Sequence, residues 1–249
     1  MRGADITQEP LFTTIKQDER VPHDHPLRSI KTLFDQALTH IDWKLSLIYS
    51  ECGRESIPPE RLLRALLLQI LFSIRSERQL VEQIQYNMLY RWFVGLSIDE
   101  PVWDHSTFSV NRDRLIHHDV SAELFAEVVA SAQKQQLLSN DHFSVDGTLM
   151  QAWASQKSFR LNHRITPHVA RNDKRPGGSA IDGRTSHKTG YAASQIVRKR
   201  VEEPFGWGKT VGHLRQLKVK GLAKVNSALE MTMMAYNLVR MAKLQGQSV

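Results

Sequence analysis

Glu60-Arg-Leu-Leu-Arg-Ala-Leu-Leu-Leu-Gln-Ile-Leu-Phe-Ser-Ile74 is apolar nearly all the way round a helical wheel, which is the pattern of a helix at the centre of a core. Pro58 and Pro59 stand just before it, where proline is tolerated because the first N–H groups of a helix have no partner in any case. Its most apolar part, Leu62 to Ile74, is 13 residues long and contains Arg64 and Gln69, too short and too polar to cross a bilayer. Downstream, Ser76 and Gln79 have the spacing of a capping box. They open a helix with Leu80, Ile84 and Met88 at four-residue intervals, for which Gly95 is a stop. Asp104 to Ser106 can cap a shorter helix carrying Phe108, Arg112, Arg114 and Leu115. Another helix runs from about Ser121 with Phe125, Val128, Val129 and Ala132 on one face. Residues 27–140 therefore read as a helical region. Residues 1–26, polar and proline-punctuated, read as a loose arm in which His23-Asp24-His25 is a solvated loop.

Past His142 the pattern changes. His-Phe-Ser-Val-Asp-Gly-Thr148 reads as a short strand carrying Asp146. Residues 157–190 are basic and glycine-rich loop, and helix resumes near Ala192 until Pro204 must kink or end it. A last helix is expected from a second capping box, Ser227 to Glu230, to about Leu244. The net charge of +7 is unevenly spread. Residues 157–224 hold 16 Lys and Arg against 4 Asp and Glu, a net +12, which leaves −5 for the rest. A concentrated basic block points to a polyanion partner, nucleic acid first. Cys52 is the only cysteine, so no internal disulfide forms, as suits a reducing compartment. The N-terminal MRGADITQEP lacks the apolar stretch of a signal peptide, so a cytoplasmic protein is expected.

Two sets of residues carry candidate chemistry. Asp146, between Val145 and Gly147, is costly to bury unless it is hydrogen-bonded or binds a cation. In the helical stretch 194–209, Arg198 and Glu202 share a face, and Lys209, seven residues on, returns to it if the helix continues. Spacing alone also suits an exposed helix laced with ion pairs. However, a carboxylate among Arg198, Lys199, Arg200 and Lys209 has the composition of a site that holds metal beside phosphate. In the helical region, two helices joined by a turn, the second bearing Arg112 and Arg114, fit either a helix-turn-helix reader or a plain bundle.

The order VDGT, HVARN, SAIDGRT and GYAASQIVRKRVEEPFGWGK resembles the bacterial insertion-sequence transposases of the DDE type, the group founded by insertion sequence five. LLRALLLQILFSIRSERQL, DHSTFSVNRDRL and AYNLVR (235–240) are similar to the same family, so the resemblance covers most of the chain. The Arg-x3-Glu-x6-Lys spacing of Arg198, Glu202 and Lys209 is its most specific piece and selects Glu202 over Glu203. The resemblance implies a ribonuclease H-like fold in which two aspartates and a glutamate bind two magnesium ions. It also implies strand cleavage and transfer on double-stranded DNA at the element's terminal repeats, a nucleoid-associated location, and a homodimer as the candidate assembly. By it, Asp146 and Glu202 are catalytic and metal-binding, and Lys209 is catalytic. Arg198, Lys199, Arg200 and Lys209 would hold DNA, and Arg112 and Arg114 would do so if the helix-turn-helix reading holds. The chain departs from the pattern at Gln195, where the family usually has tyrosine, and Pro204 and Gly208 are poor helix residues beside Lys209.

The larger departure is the second aspartate. Only 55 residues, 147–201, separate Asp146 from Glu202. Three strands, a helix and their connections already need about 44 residues, before the glycine-rich loop and the start of the next helix are fitted in. Asp173 and Asp182 are the only carboxylates between the two, in polar, glycine-rich surroundings, though either is a conceivable substitute ligand. The expected fold is thus a mainly α N-terminal region followed by a truncated α/β ribonuclease H-like remnant over 141–249. Magnesium binding is expected to be weak or absent in this copy. The competing readings are a catalytically defective transposase, a DNA-binding remnant or regulator of transposition, and a basic helical scaffold for RNA.

Overall fold

The computed structural model describes residues 16–49, 56–138 and 202–246. Its helices are α1 (Gln17–Arg20), α2 (Pro26–His40), α3 (Asp42–Ile48), α4 (Pro59–Leu71), α5 (Glu77–Tyr86), α6 (Met88–Val94), α7 (His105–His117), α8 (Val120–Lys134), α9 (residues 202–210) and α10 (Leu222–Gly246). α4 takes the central place that its composition predicts. Leu62, Ala65, Leu67 and Leu68 have no exposed surface; α5, α6, α7 and α10 pack against α4, and Phe34 of α2 and Leu124 of α8 share one cluster with Phe93, Phe108, Met234 and Leu238. Burying an aliphatic or aromatic side chain of this size is worth about 1.5–3 kcal/mol, so this shared core dominates the stability of the described residues. α10 packs along α8 more extensively than any other pair of helices does.

The helix ends follow local chemistry. The Ser76 hydroxyl accepts the Gln79 N–H at 3.2 Å, and the Asp104 carboxylate accepts that of Ser106 at 2.8 Å. Gly95 ends α6 in the left-handed region at φ 89°, a conformation open to glycine at no steric cost. His25, expected in a solvated loop, caps α2 by accepting the Leu27 N–H on Nδ1. The stretch 16–26 is held to the bundle: Arg28 pairs with Asp18 at 2.9 Å, and the Trp92 indole donates to the same carboxylate at 3.0 Å.

Three expectations require correction. The helix read from Ser76 through Met88 is two helices. Asn87 is extended, and its side chain accepts the N–H groups of Leu89 and Tyr90, so it starts α6 instead of continuing α5. The last helix begins at Leu222, not Ser227: Gly221, at φ 101°, makes the entry turn. Glu230 is engaged by the Ser121 hydroxyl at 2.6 Å, a link to α8 and not a capping box. Pro204 does not end its helix, since residues 202–210 are helical through it. Of the α/β remnant expected over 141–249, the described part holds α9 and α10. No strand occurs among the described residues, and the strand expected around Asp146 lies outside them. No helix among the described residues is long and apolar enough to cross a membrane.

Candidate nucleic-acid interface

α9 is seated on α10 by the absence of side chains. A Cβ on Gly208 would lie 2.9 Å from Leu214 Cδ1 and 3.0 Å from Met233 Cε. One on Gly212 would lie 2.2 Å from Thr232 Cγ2 and 3.0 Å from the Gly208 carbonyl oxygen. Glycine lets the backbone of 208–212 press against α10, and the Ser73 hydroxyl fixes it from the other side by donating to the Val211 carbonyl at 2.9 Å. Trp207 meets Tyr236 edge-on at 5.8 Å between ring centres. Burial, and then the neighbouring Glu203 carboxylate, push the Tyr236 hydroxyl above its ordinary range. Both glutamates are exposed, and Glu203 lies against Tyr236 on α10. Since α9 is continuous, Lys209 stands about 10 Å along the axis from Glu202, two turns on and on nearly the same face.

Beyond Lys209 the chain turns at His213, whose φ of 58° is left-handed, and runs back over α4, α5 and α7. Between this segment and the helices lies a groove of about 740 Å3. Six Lys and Arg residues line it among the described residues: Arg75, Arg112, Lys209, Arg215, Lys218 and Lys224. Glu77 is the one carboxylate lining it. Arg112 bonds Glu77 and, at 2.8 Å, Asp113, and Lys224 reaches Asp113 at 2.6 Å. Arg75, Lys209, Arg215 and Lys218 make no ion pair among the described residues. Nε2 of His213, also in the groove wall, is buried without a hydrogen-bond partner.

Of the residues expected from sequence, α9 brings Glu202 and Lys209 together, and the groove places Arg112 near Lys209. Arg112 is turned into the bundle by Glu77, and the loop 95–104 joining α6 to α7 is fastened by the buried Arg91, which donates to the Ser97 carbonyl at 2.6 Å and to that of Glu100. Arg114 is exposed, its guanidinium 5.2 Å from the centre of the Tyr49 ring. Asp146, Asp173, Asp182, Arg198, Lys199, Arg200 and Cys52 lie outside the described residues. Among the described residues no three His, Cys, Asp or Glu side chains are grouped to hold a metal ion. Glu202 alone does not fit a two-ion centre, and no step through metal follows from it. Sequence reading missed Arg75, His213, Arg215 and Lys218. The last three sit in the basic block it identified, whereas Arg75, at the end of a leucine-rich helix, is indistinguishable in sequence from an ordinary solvated charge.

Two families match the chain. Residues 15–114 match the Transposase domain (DUF772), and residues 157–242 match the Transposase DDE domain. Glu202, Lys209 and most of the groove fall in the second segment, Arg75 and Arg112 fall in the first, and Asp146 lies between the two. No curated protein matches, and no solved structure does.

Proposed function

The chain belongs to the DDE transposases, and from that premise we propose an insertion-sequence transposase of the group founded by insertion sequence five whose own strand-cleaving centre is incomplete. The family suggests DNA as the partner and dependence on a divalent metal. The observation that carries the reading is α9: a helix in the DDE segment with an exposed Glu202 and a half-buried Lys209 on nearly one face, Lys209 lining a groove rich in cations. In the full reading Asp146 joins Glu202 as the second carboxylate, Lys209, Arg198, Lys199 and Arg200 hold phosphates, Arg114 offers its exposed guanidinium to DNA, and the ion is magnesium. The protein acts on double-stranded terminal repeats as a homodimer.

The defect follows from the short span between Asp146 and Glu202. Two carboxylates supply at most two negative charges where two divalent ions need ligands on both sides, one of them normally bridging. Magnesium gives up its water reluctantly and gains little from so few ligands. Neighbouring Lys209 and Arg198 oppose a cation further, being placed for a phosphate that brings its own charge. What remains is DNA binding without cutting, the activity of a regulator or remnant. The test is purified protein with a labelled duplex of the gene's flanking repeats and magnesium or manganese, beside Asp146→Ala. Both proteins should bind the duplex and neither should nick it. Nicking by the wild type that vanishes in the Asp146→Ala protein would sink the defect, and Asp182 and Asp173 would then be the first candidates for the third ligand.

A further inference from the structure

We infer that the groove between the 209–219 segment and helices α4, α5 and α7 is the track along which duplex DNA backbone reaches Glu202, with Arg75, Lys209, Arg215 and Lys218 as its phosphate contacts. The inference rests on the transposase reading for the identity of the polyanion. It rests on the groove itself for the place.

Four cations without ion-pair partners among the described residues share one wall system. At physiological salt the screening length is about 8 Å, so charges gathered along a single groove repel one another and the folded state bears the cost. The neighbouring Arg112 and Lys224 show what neutralisation looks like here, since Asp113 and Glu77 satisfy them. The unpaired four have been left for a ligand. His213 adds an independent sign: a left-handed backbone turns its ring into the groove wall, where a buried Nε2 lacks a partner. Such an unmet polar atom carries a desolvation cost that an arriving hydrogen-bonding group would relieve.

The walls are rigid, which is what a phosphate track requires. The 208–212 backbone is wedged on α10 at Gly208 and Gly212, where a Cβ would clash, and Ser73 ties it to the end of α4. The groove is continuous with the Glu202 helix through Lys209, which belongs to both. It also needs both family segments, because Arg75 comes from the first and the other three cations from the second. Phosphate spacing in duplex DNA, one charge per about 1.7 Å of axis, gives a row of cations several partners without demanding a base sequence.

The measurement is equilibrium binding of the full chain to a random-sequence duplex across a salt series. The variants are the exposed pair Arg75→Ala/Lys218→Ala and a control pair, Lys134→Ala/Lys243→Ala, which removes the same charge at the far ends of α8 and α10. The groove pair should make the log Kd against log salt slope shallower by about 1.8, two contacts at about 0.9 each, while the control pair leaves it unchanged. Circular dichroism melts keep folding out of the comparison. If the wild type binds duplex DNA and both pairs alter the slope equally, or neither does, the groove assignment is overturned while the DNA reading stands. If the wild type binds no duplex DNA, both fall. A groove effect confined to a single-stranded RNA probe would make RNA the occupant and also overturn the inference.

Discussion

Gly212 has Thr232 Cγ2 standing 2.2 Å from where its Cβ would be, with the Gly208 carbonyl oxygen at 3.0 Å on another side. The Gly212→Ala variant must push the segment after α9 off α10 or displace Thr232, and overpacking of this kind costs about 1–3 kcal/mol. Urea denaturation should show that loss, and Gly212→Ala combined with Thr232→Ala should recover part of it. Full recovery is not expected, because the Gly208 carbonyl cannot withdraw; no loss at all in the single variant would mean the two helices are not in this register. Sequence alone gave Gly208 the opposite sense, as a poor helix former beside Lys209, and said nothing of Gly212. Close approach between residues 212 and 232 is a tertiary fact with no local signature. That Glu202 and Lys209 share a helix face, by contrast, was legible, because a seven-residue spacing is a property of one helix and needs nothing from the rest of the fold.

Arg112, Glu77, Asp113 and Lys224 join α5, α7 and α10 into one unit. Glu77 retains only 15% of its side-chain exposure, so Arg112→Ala leaves a mostly buried carboxylate with the Ser109 hydroxyl but no cation and should destabilise by about 1–3 kcal/mol. A neutral effect on the melting temperature would show that the pair is not formed. Asp113 is more open, and its pair with Lys224 is worth at most about 1 kcal/mol at neutral pH. Burial pushes the Asp113 carboxyl up, but bonds from Lys224 and Arg112 outweigh it and hold the group below its ordinary value of 3.8. A carboxyl depressed by folding contributes stability that is present above its unfolded value and lost as pH falls through its folded value. The wild type should therefore lose more melting temperature between pH 7 and pH 3 than Asp113→Asn does, and equal losses would remove Asp113 from the acid response. The helix starts at Ser76 and Asp104 and the stop at Gly95 were readable because caps act over three or four residues. Asn87 and Ser227 misled for related reasons: an asparagine inside an apolar period overrode it by capping, and a serine–glutamate spacing was diverted by Ser121 on another helix.

At the scale of the whole molecule, the two matched segments do not correspond to two cores. α10 belongs to the second segment, yet Met231, Met234, Ala235, Leu238 and Met241 are buried in the cluster built by α2, α4, α6, α7 and α8 of the N-terminal region. A hydrophobic period can say that a helix has an apolar face, but not which distant helices will cover it, so the sequence divides where the core does not. The helices that close this core flank residues 139–201, so the helical unit is specified by what lies on either side of that stretch. The four larger side chains of α10 contribute about 6–12 kcal/mol at about 1.5–3 kcal/mol each, comparable with the whole stability of an ordinary domain, about 5–15 kcal/mol. Removing α10 also uncovers the face of α8 against which it packs most closely. A fragment of residues 1–221 should consequently keep helical circular dichroism at most in part, lose its cooperative thermal transition, and aggregate or bind a hydrophobic dye. Adding residues 222–249 as a separate peptide should restore some cooperativity if the missing surface is the cause. A 1–221 fragment that melted sharply at the full-length temperature would mean that the N-terminal helices carry a complete core of their own and that α10 only rests upon it.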